Sequence, residues 1–150
     1  MRHSLVQEWF RLFTHVYAVM ALASGVYMVF AFRTRYPEGF FFFEALYVLL
    51  YLALGAIPVA VQTVAATVIF RILRLRSAVA LALVGLLTGA ATMYWLWPPG
   101  GGSPIFGMVT VCAGSGAFLS SLPAEKAWSR SIFLPTCAIS ILLIHTTTWI

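Results

Sequence analysis

The sequence predicts an all-α polytopic membrane helix bundle, and three observations carry that reading. The composition is 62% hydrophobic and 9% charged, with a mean hydropathy of +0.97, whereas about a quarter of an ordinary soluble domain is charged. The apolar residues gather into five runs, 10–32, 40–70, 78–97, 105–122 and 131–150. Each reaches or approaches the ~20 residues a helix needs to cross ~30 Å of hydrocarbon. Laid alternately across a bilayer, these runs leave seven of the nine Lys and Arg residues on one side. Residues 1–150 read as a single integral membrane domain with short connectors and no water-soluble part.

The first run follows a basic start. Ala21, Leu22 and Ala23 have the spacing of a signal cleavage site, but the run continues through Phe32 and is interrupted by Thr14 and His15. A secretory signal has a shorter apolar core of about 7–15 residues, so an uncleaved first helix is expected. The second run, 31 residues long, would span ~46 Å as a helix. It is expected to tilt, to kink at Pro58, or to begin in the interface with the aromatic stretch 40–43.

Runs three and four look built to pack on each other. Ala82, Gly85, Gly89 and Thr92 form one small-residue stripe, and Gly107, Thr110, Gly114, Ala117 and Ser121 form another. Small residues let helix backbones approach in lipid, where apolar burial gives no net drive. The short connector 98–103 makes an intramolecular hairpin through Gly85, Gly89, Gly107 and Gly114 the expected use; a homo-oligomer face is the alternative. The fourth run is only 18 residues long and rich in Gly and Ser. Four crossings with a re-entrant segment at 105–122 is therefore the alternative architecture. The fifth run closes the bundle.

Short basic connectors stay cytoplasmic. Arg2, Arg11, Arg71, Arg74, Arg76, Lys126 and Arg130 therefore predict an inner N terminus and an outer C terminus, in a bacterial-type inner membrane. Only Arg33 and Arg35 fall outside, and Trp95, Trp97 and Trp149 fall where an outer aromatic belt would lie. The net charge of +5 is spread over juxtamembrane connectors, so anionic lipid is the expected partner, at about 1 kcal/mol per basic residue near the surface. No nucleic-acid module is present. Arg71, Arg74 and Arg76 alternate with apolar residues and read as a headgroup anchor.

Few residues could carry chemistry. Glu44 is the one carboxylate inside an apolar run, and such residues are functional candidates because charge at membrane depth is costly. Lying near the outer interface, it is expected to pair with Arg33 or Arg35, with Tyr47 and Tyr51 continuing its helical face. A proton or cation site is the alternative. His15 and His145 raise the question of a haem, but five crossings put them in opposite leaflets, where they could not hold one iron. Gln62, Thr63 and Thr67 place polar atoms inside run two and are expected to bond between helices. Cys112 and Cys137 read as small buried hydrophobes near opposite leaflets.

No metal set, catalytic triad, P-loop or dinucleotide fingerprint occurs, so neither a cofactor nor catalysis is expected. In format alone, the chain resembles small polytopic proteins that protect or assist another membrane component. Immunity proteins against pore-forming toxins and accessory subunits of membrane complexes are of this build. The expected function is non-catalytic binding of another integral membrane protein or a membrane-inserting toxin within the bilayer. A small oligomeric transporter using Glu44, and a haem- or quinone-associated subunit, are the alternatives.

Overall fold

A computed structural model describes residues 4–35, 41–96 and 104–147; of residues 41–44 and 104 it describes the backbone. Those residues form helices and no strand. The long helices are α1 (Leu5–Arg35), α2 (Phe41–Ile72), α3 (Ala78–Leu96), α4 (Pro104–Ser121) and α6 (Arg130–Thr147), with a single turn, α5 (Ala124–Ala127), before the last. Four of them, taken over Leu5–Arg35, Ala45–Ile72, Ala78–Leu96 and Arg130–Thr147, are long and apolar enough to cross a membrane, and Ile105–Ser121 is a shorter apolar helix. The connector 98–103, Trp97, Trp149 and the Glu44 side chain lie outside the described residues.

Helix α1 begins five residues before the first apolar run. Ser4 caps it: the Gln7 amide N–H donates to Ser4 Oγ at 3.3 Å, and the Ser4 N–H donates to Gln7 Oε1 at 3.1 Å. This reciprocal pair satisfies two donors that a bare helix end would leave open. In mid-course, Met20–Ser24 winds as a π-helix. That widened turn inserts an extra residue, and Met20, Ala23 and Ser24 on it are all buried.

Helix α2 runs unbroken from Phe41 to Ile72 with Pro58 inside it. One side packs on the bundle. The other is a row of Leu46, Leu50, Leu54, Ile57, Val61, Val64 and Val68, all exposed, which is the face a lipid-contacting helix presents.

The centre of the bundle is α4, on which α1, α2, α3 and α6 all pack. Its composition explains that position. Cys112, Ala113, Ser115 and Ala117 stand with Gly107, Gly114 and Gly116 on this one helix, and small side chains admit neighbours on several sides. Helix α4 runs antiparallel to α3: a Cβ on Gly85 would lie 2.6 Å from Ala113 O, and one on Gly89 would lie 2.8 Å from Ala113 Cβ. On Gly114 it would meet Leu86 Cγ at 2.5 Å. Gly107 faces elsewhere than expected, because its missing Cβ leaves room for Thr147 Oγ1 of α6. Gly116, which the sequence reading passed over, lies against the backbone of Val16 in α1.

The two ends of the bundle follow from side-chain contacts. At one end, Arg71 pairs with Glu8 at 3.9 Å, Arg11 Nη2 donates to Leu122 O, and the His15 ring stacks on Trp128. At the other, Phe32 meets Tyr47, Tyr27 meets His145, and Gly107 meets Thr147. Arg11, Arg71, Arg74, Arg76, Lys126 and Arg130 therefore share one end, and Arg33 and Arg35 belong to the opposite one. The two ends of α4 likewise lie at opposite ends of the bundle.

Candidate functional site

Three polar groups bind the helices together inside the bundle. Gln62, fully buried, donates through Nε2 to Thr88 Oγ1 of α3 at 3.0 Å. Thr88 directs its own proton to Val84 O at 2.8 Å, so its hydroxyl acts as donor and acceptor at once. One residue along α2, Thr63 accepts from Trp9 Nε1 of α1 at 3.1 Å and donates to Val59 O at 2.7 Å. Trp9 had no part in the sequence reading, since it precedes the first apolar run. Between α4 and α6, Ser115 donates to Ser140 at 2.7 Å, leaving Ser140 to donate to Thr136 O at 2.8 Å. The carbonyl oxygen Oε1 of Gln62 is buried without a partner among the described residues.

A second group lies around the π turn of α1. Ser24 Oγ is 3.5 Å from Cys112 Sγ of α4, and the Tyr51 hydroxyl of α2 donates to Met108 Sδ of α4 at 3.6 Å. Met108 and Cys112 are one helical turn apart and so share a face. Cys112 and Cys137 are both free and buried. Each precedes its paired serine by three residues on antiparallel helices, so the thiols are displaced from the Ser115–Ser140 contact in opposite directions.

His15 and His145 occupy opposite ends. His15 Nδ1 lies 2.7 Å from Arg11 O, and a carbonyl can only accept, so this nitrogen carries the proton and Nε2 the lone pair. That Nε2 is buried and unpartnered among the described residues, with the ring stacked 4.6 Å from Trp128. His145, exposed near the far end, has its ring 6.3 Å from Tyr27. One iron could not take both.

The aromatic face that was to continue from Glu44 divides. Tyr47 packs edge-on to Phe32 at 5.2 Å, whereas Tyr51 turns inward to Met108. At the basic end the headgroup set divides too. Arg71 is engaged by Glu8, a residue that the sequence reading left unassigned, because the early start of α1 brings that carboxylate level with the end of α2. Arg74 and Arg76 remain exposed. Arg74 adopts φ 50°. It is the second residue past the end of α2, and the Leu75 N–H reaches back to Phe70 O at 3.1 Å, a helix stop usually made by glycine.

Between α1 and α2 an apolar cleft of about 320 Å³ is lined by Ala21, Leu22, Gly25, Val26, Val29, Phe30 and Val48. Gly25 opens it: a Cβ there would lie 3.9 Å from Val48. Among the described residues, no three His, Cys, Asp or Glu side chains gather closely enough to hold a metal ion. No family model matches the chain, and neither does any curated protein or solved structure.

Proposed function

We propose that this chain is a small non-catalytic integral membrane protein that binds another membrane component within the bilayer. An immunity protein against a membrane-acting toxin, or an accessory subunit of a membrane complex, works in this manner. It crosses a bacterial-type inner membrane five times, N terminus inside and C terminus outside. The gathering of Arg11, Arg71, Arg74, Arg76, Lys126 and Arg130 at one end supports that orientation.

The observation that carries the reading is how the membrane-depth polar groups are used. Gln62 bonds Thr88, Trp9 bonds Thr63 and Ser115 bonds Ser140, each across two helices. Such groups hold a bundle shut; lining a solute path would leave them facing a common channel. The glycines of α3 and α4 are likewise closed against neighbours within the chain. Recognition then falls to the outer surface, where the Gly25–Val48 cleft offers the concave apolar seat that a partner's transmembrane helix can fill. A photo-crosslinker at Val29 tests this in intact cells, with Leu83 on the exposed face of α3 as control. One discrete protein adduct from Val29 and none from Leu83 is the expected result. Lipid adducts alone, alike from both positions, would contradict it.

A second reading, a small oligomeric transporter using Glu44, is favoured by one observation. Among the described residues Gln62 Oε1 is a buried acceptor with no donor, and a solute carrying an N–H or O–H group would satisfy it.

A further inference from the structure

Gly25 differs from the other described glycines in what its missing side chain faces. A Cβ built on any of the other six would stand within 3.0 Å of a neighbour, whereas on Gly25 it would meet only Val48, at 3.9 Å. Glycine is a poorer helix residue than alanine, because its backbone loses more freedom on folding. At the six, a neighbour seated against the glycine accounts for its presence. At Gly25 no neighbour among the described residues does, although Gly25 is itself buried and forms part of the floor of the α1–α2 cleft. The form of that cleft fits a helix. Four of its lining residues, Leu22, Gly25, Val26 and Val29, stand at i, i+3, i+4 and i+7 on α1, and four residues so placed make the hole into which a facing helix inserts one side chain. With glycine at one corner the hole is deeper than four side chains would leave it. Val48 of α2 walls it on one side, and every lining residue is apolar.

We propose, resting on the interaction reading, that Gly25 sets the specificity of this seat: the partner's transmembrane helix places a large apolar side chain, Leu, Met or Phe, in the hole over Gly25. A small residue at that position of the partner would leave the hole empty and forfeit its contacts. A polar one would be buried with nothing to bond, since the lining side chains offer hydrocarbon alone. Pairing by close backbone approach is already taken up inside the chain, where Gly85, Gly89, Gly114 and Gly116 are closed against neighbours. This chain therefore supplies the hollow and the partner the bulk.

The test uses the full chain in intact cells, with a photo-crosslinker in place of Phe30, an exposed ring at the cleft, so that the hole itself stays open. With Gly25 present, one discrete protein adduct should form, and its crosslinked peptide should come from an apolar segment carrying a large side chain. Gly25→Leu fills the hole and should lower the adduct yield at least ~10-fold. Gly25→Ala should lower it by a smaller factor. In detergent micelles Gly25→Ala should unfold at or above the wild-type temperature, because the added methyl group has room within the chain. If Gly25→Leu fails to accumulate, the yield from Gly25→Ala decides alone. Undiminished yield in the variants, or a lowered unfolding temperature for Gly25→Ala, would overturn the assignment. So would a lipid adduct that Gly25→Leu abolishes, which gives the hole to an acyl chain. Absence of any protein adduct with Gly25 present would instead sink the interaction reading, and this assignment with it.

Discussion

Gln62 donates through Nε2 to Thr88 Oγ1 at 3.0 Å while its own Oε1 is buried without a partner among the described residues. The two halves of one amide therefore act in opposite directions: one joins α2 to α3, and the other carries an uncompensated desolvation cost. Interhelical hydrogen bonds in membranes average about 0.6 kcal/mol and reach about 2 kcal/mol. Leaving a buried polar group unmade costs about 1–3 kcal/mol. Gln62→Met removes both the bond and the unpaired oxygen, so its net effect on unfolding in micelles should be within about 1 kcal/mol. Thr88→Val strands the whole amide and should cost more. Denaturation measurements that find Gln62→Met the more damaging of the two would refute this reading.

The glycines divide by what their missing Cβ would strike. At Gly85 the obstacle is the Ala113 carbonyl oxygen, 2.6 Å away, and at Gly116 it is the backbone of Val16. Backbone cannot rotate aside, so Gly85→Ala and Gly116→Ala should each destabilise by about 1–3 kcal/mol through overpacking. At Gly107 the obstacle is the Thr147 hydroxyl, the end of a rotatable side chain near a helix terminus. Gly107→Ala should cost less than about 1 kcal/mol. Thermal unfolding of the three variants gives the order directly, and a Gly107 variant as damaged as the other two would disprove it.

How far these elements were legible in the sequence depended on what each residue faces. Helices with most of their surface outside the bundle announce themselves: α2 shows a continuous apolar run, and most of that run is exposed. Helix α4 looked the weakest crossing, short and rich in small and hydroxyl residues, because protein surrounds it and hydropathy reports contact with lipid. The glycine stripe of α3 and α4 was readable as a pattern, but the partner of each glycine was not. Gly107 and Gly116 turn to α6 and α1, a matter of helix rotation that spacing alone does not fix. The π turn at Met20–Ser24 carried no signal, having neither Pro nor Gly within it, and with it the meeting of Ser24 and Cys112 went unseen. Trp9 and Glu8 were overlooked because α1 extends beyond its apolar run under the control of the Ser4 cap.

Arg74 offers a local test of backbone strain. A non-glycine residue at φ 50° costs about 1–2 kcal/mol relative to glycine, through crowding of Cβ against the following carbonyl. Arg74→Gly should therefore raise stability by about 1 kcal/mol in neutral micelles. In vesicles rich in anionic lipid the gain should shrink, because the exposed guanidinium is lost from the headgroup layer. Equal stabilisation in both media would rule out a role for Arg74 at the membrane surface.

Glu44→Gln separates a passive membrane partner from a conducting one. If Glu44 is an interfacial pairing group, the amide retains an acceptor and function should change little. A proton or cation carrier would instead be silenced while its fold persists. The account expects the first outcome. A well-folded but inactive Glu44→Gln protein in a cellular assay would favour the transporter.

The central claim is that this is a membrane bundle whose basic end faces the cytoplasm, with five crossings between its termini. Single cysteines at Ser4 and Gly101, treated with an impermeant thiol reagent in intact cells and after permeabilisation, test it most directly, since Cys112 and Cys137 are both buried. The account predicts that Gly101→Cys reacts in intact cells and that Ser4→Cys reacts only once the membrane is opened. Labelling of Ser4→Cys from outside, or protection of Gly101→Cys, would contradict it.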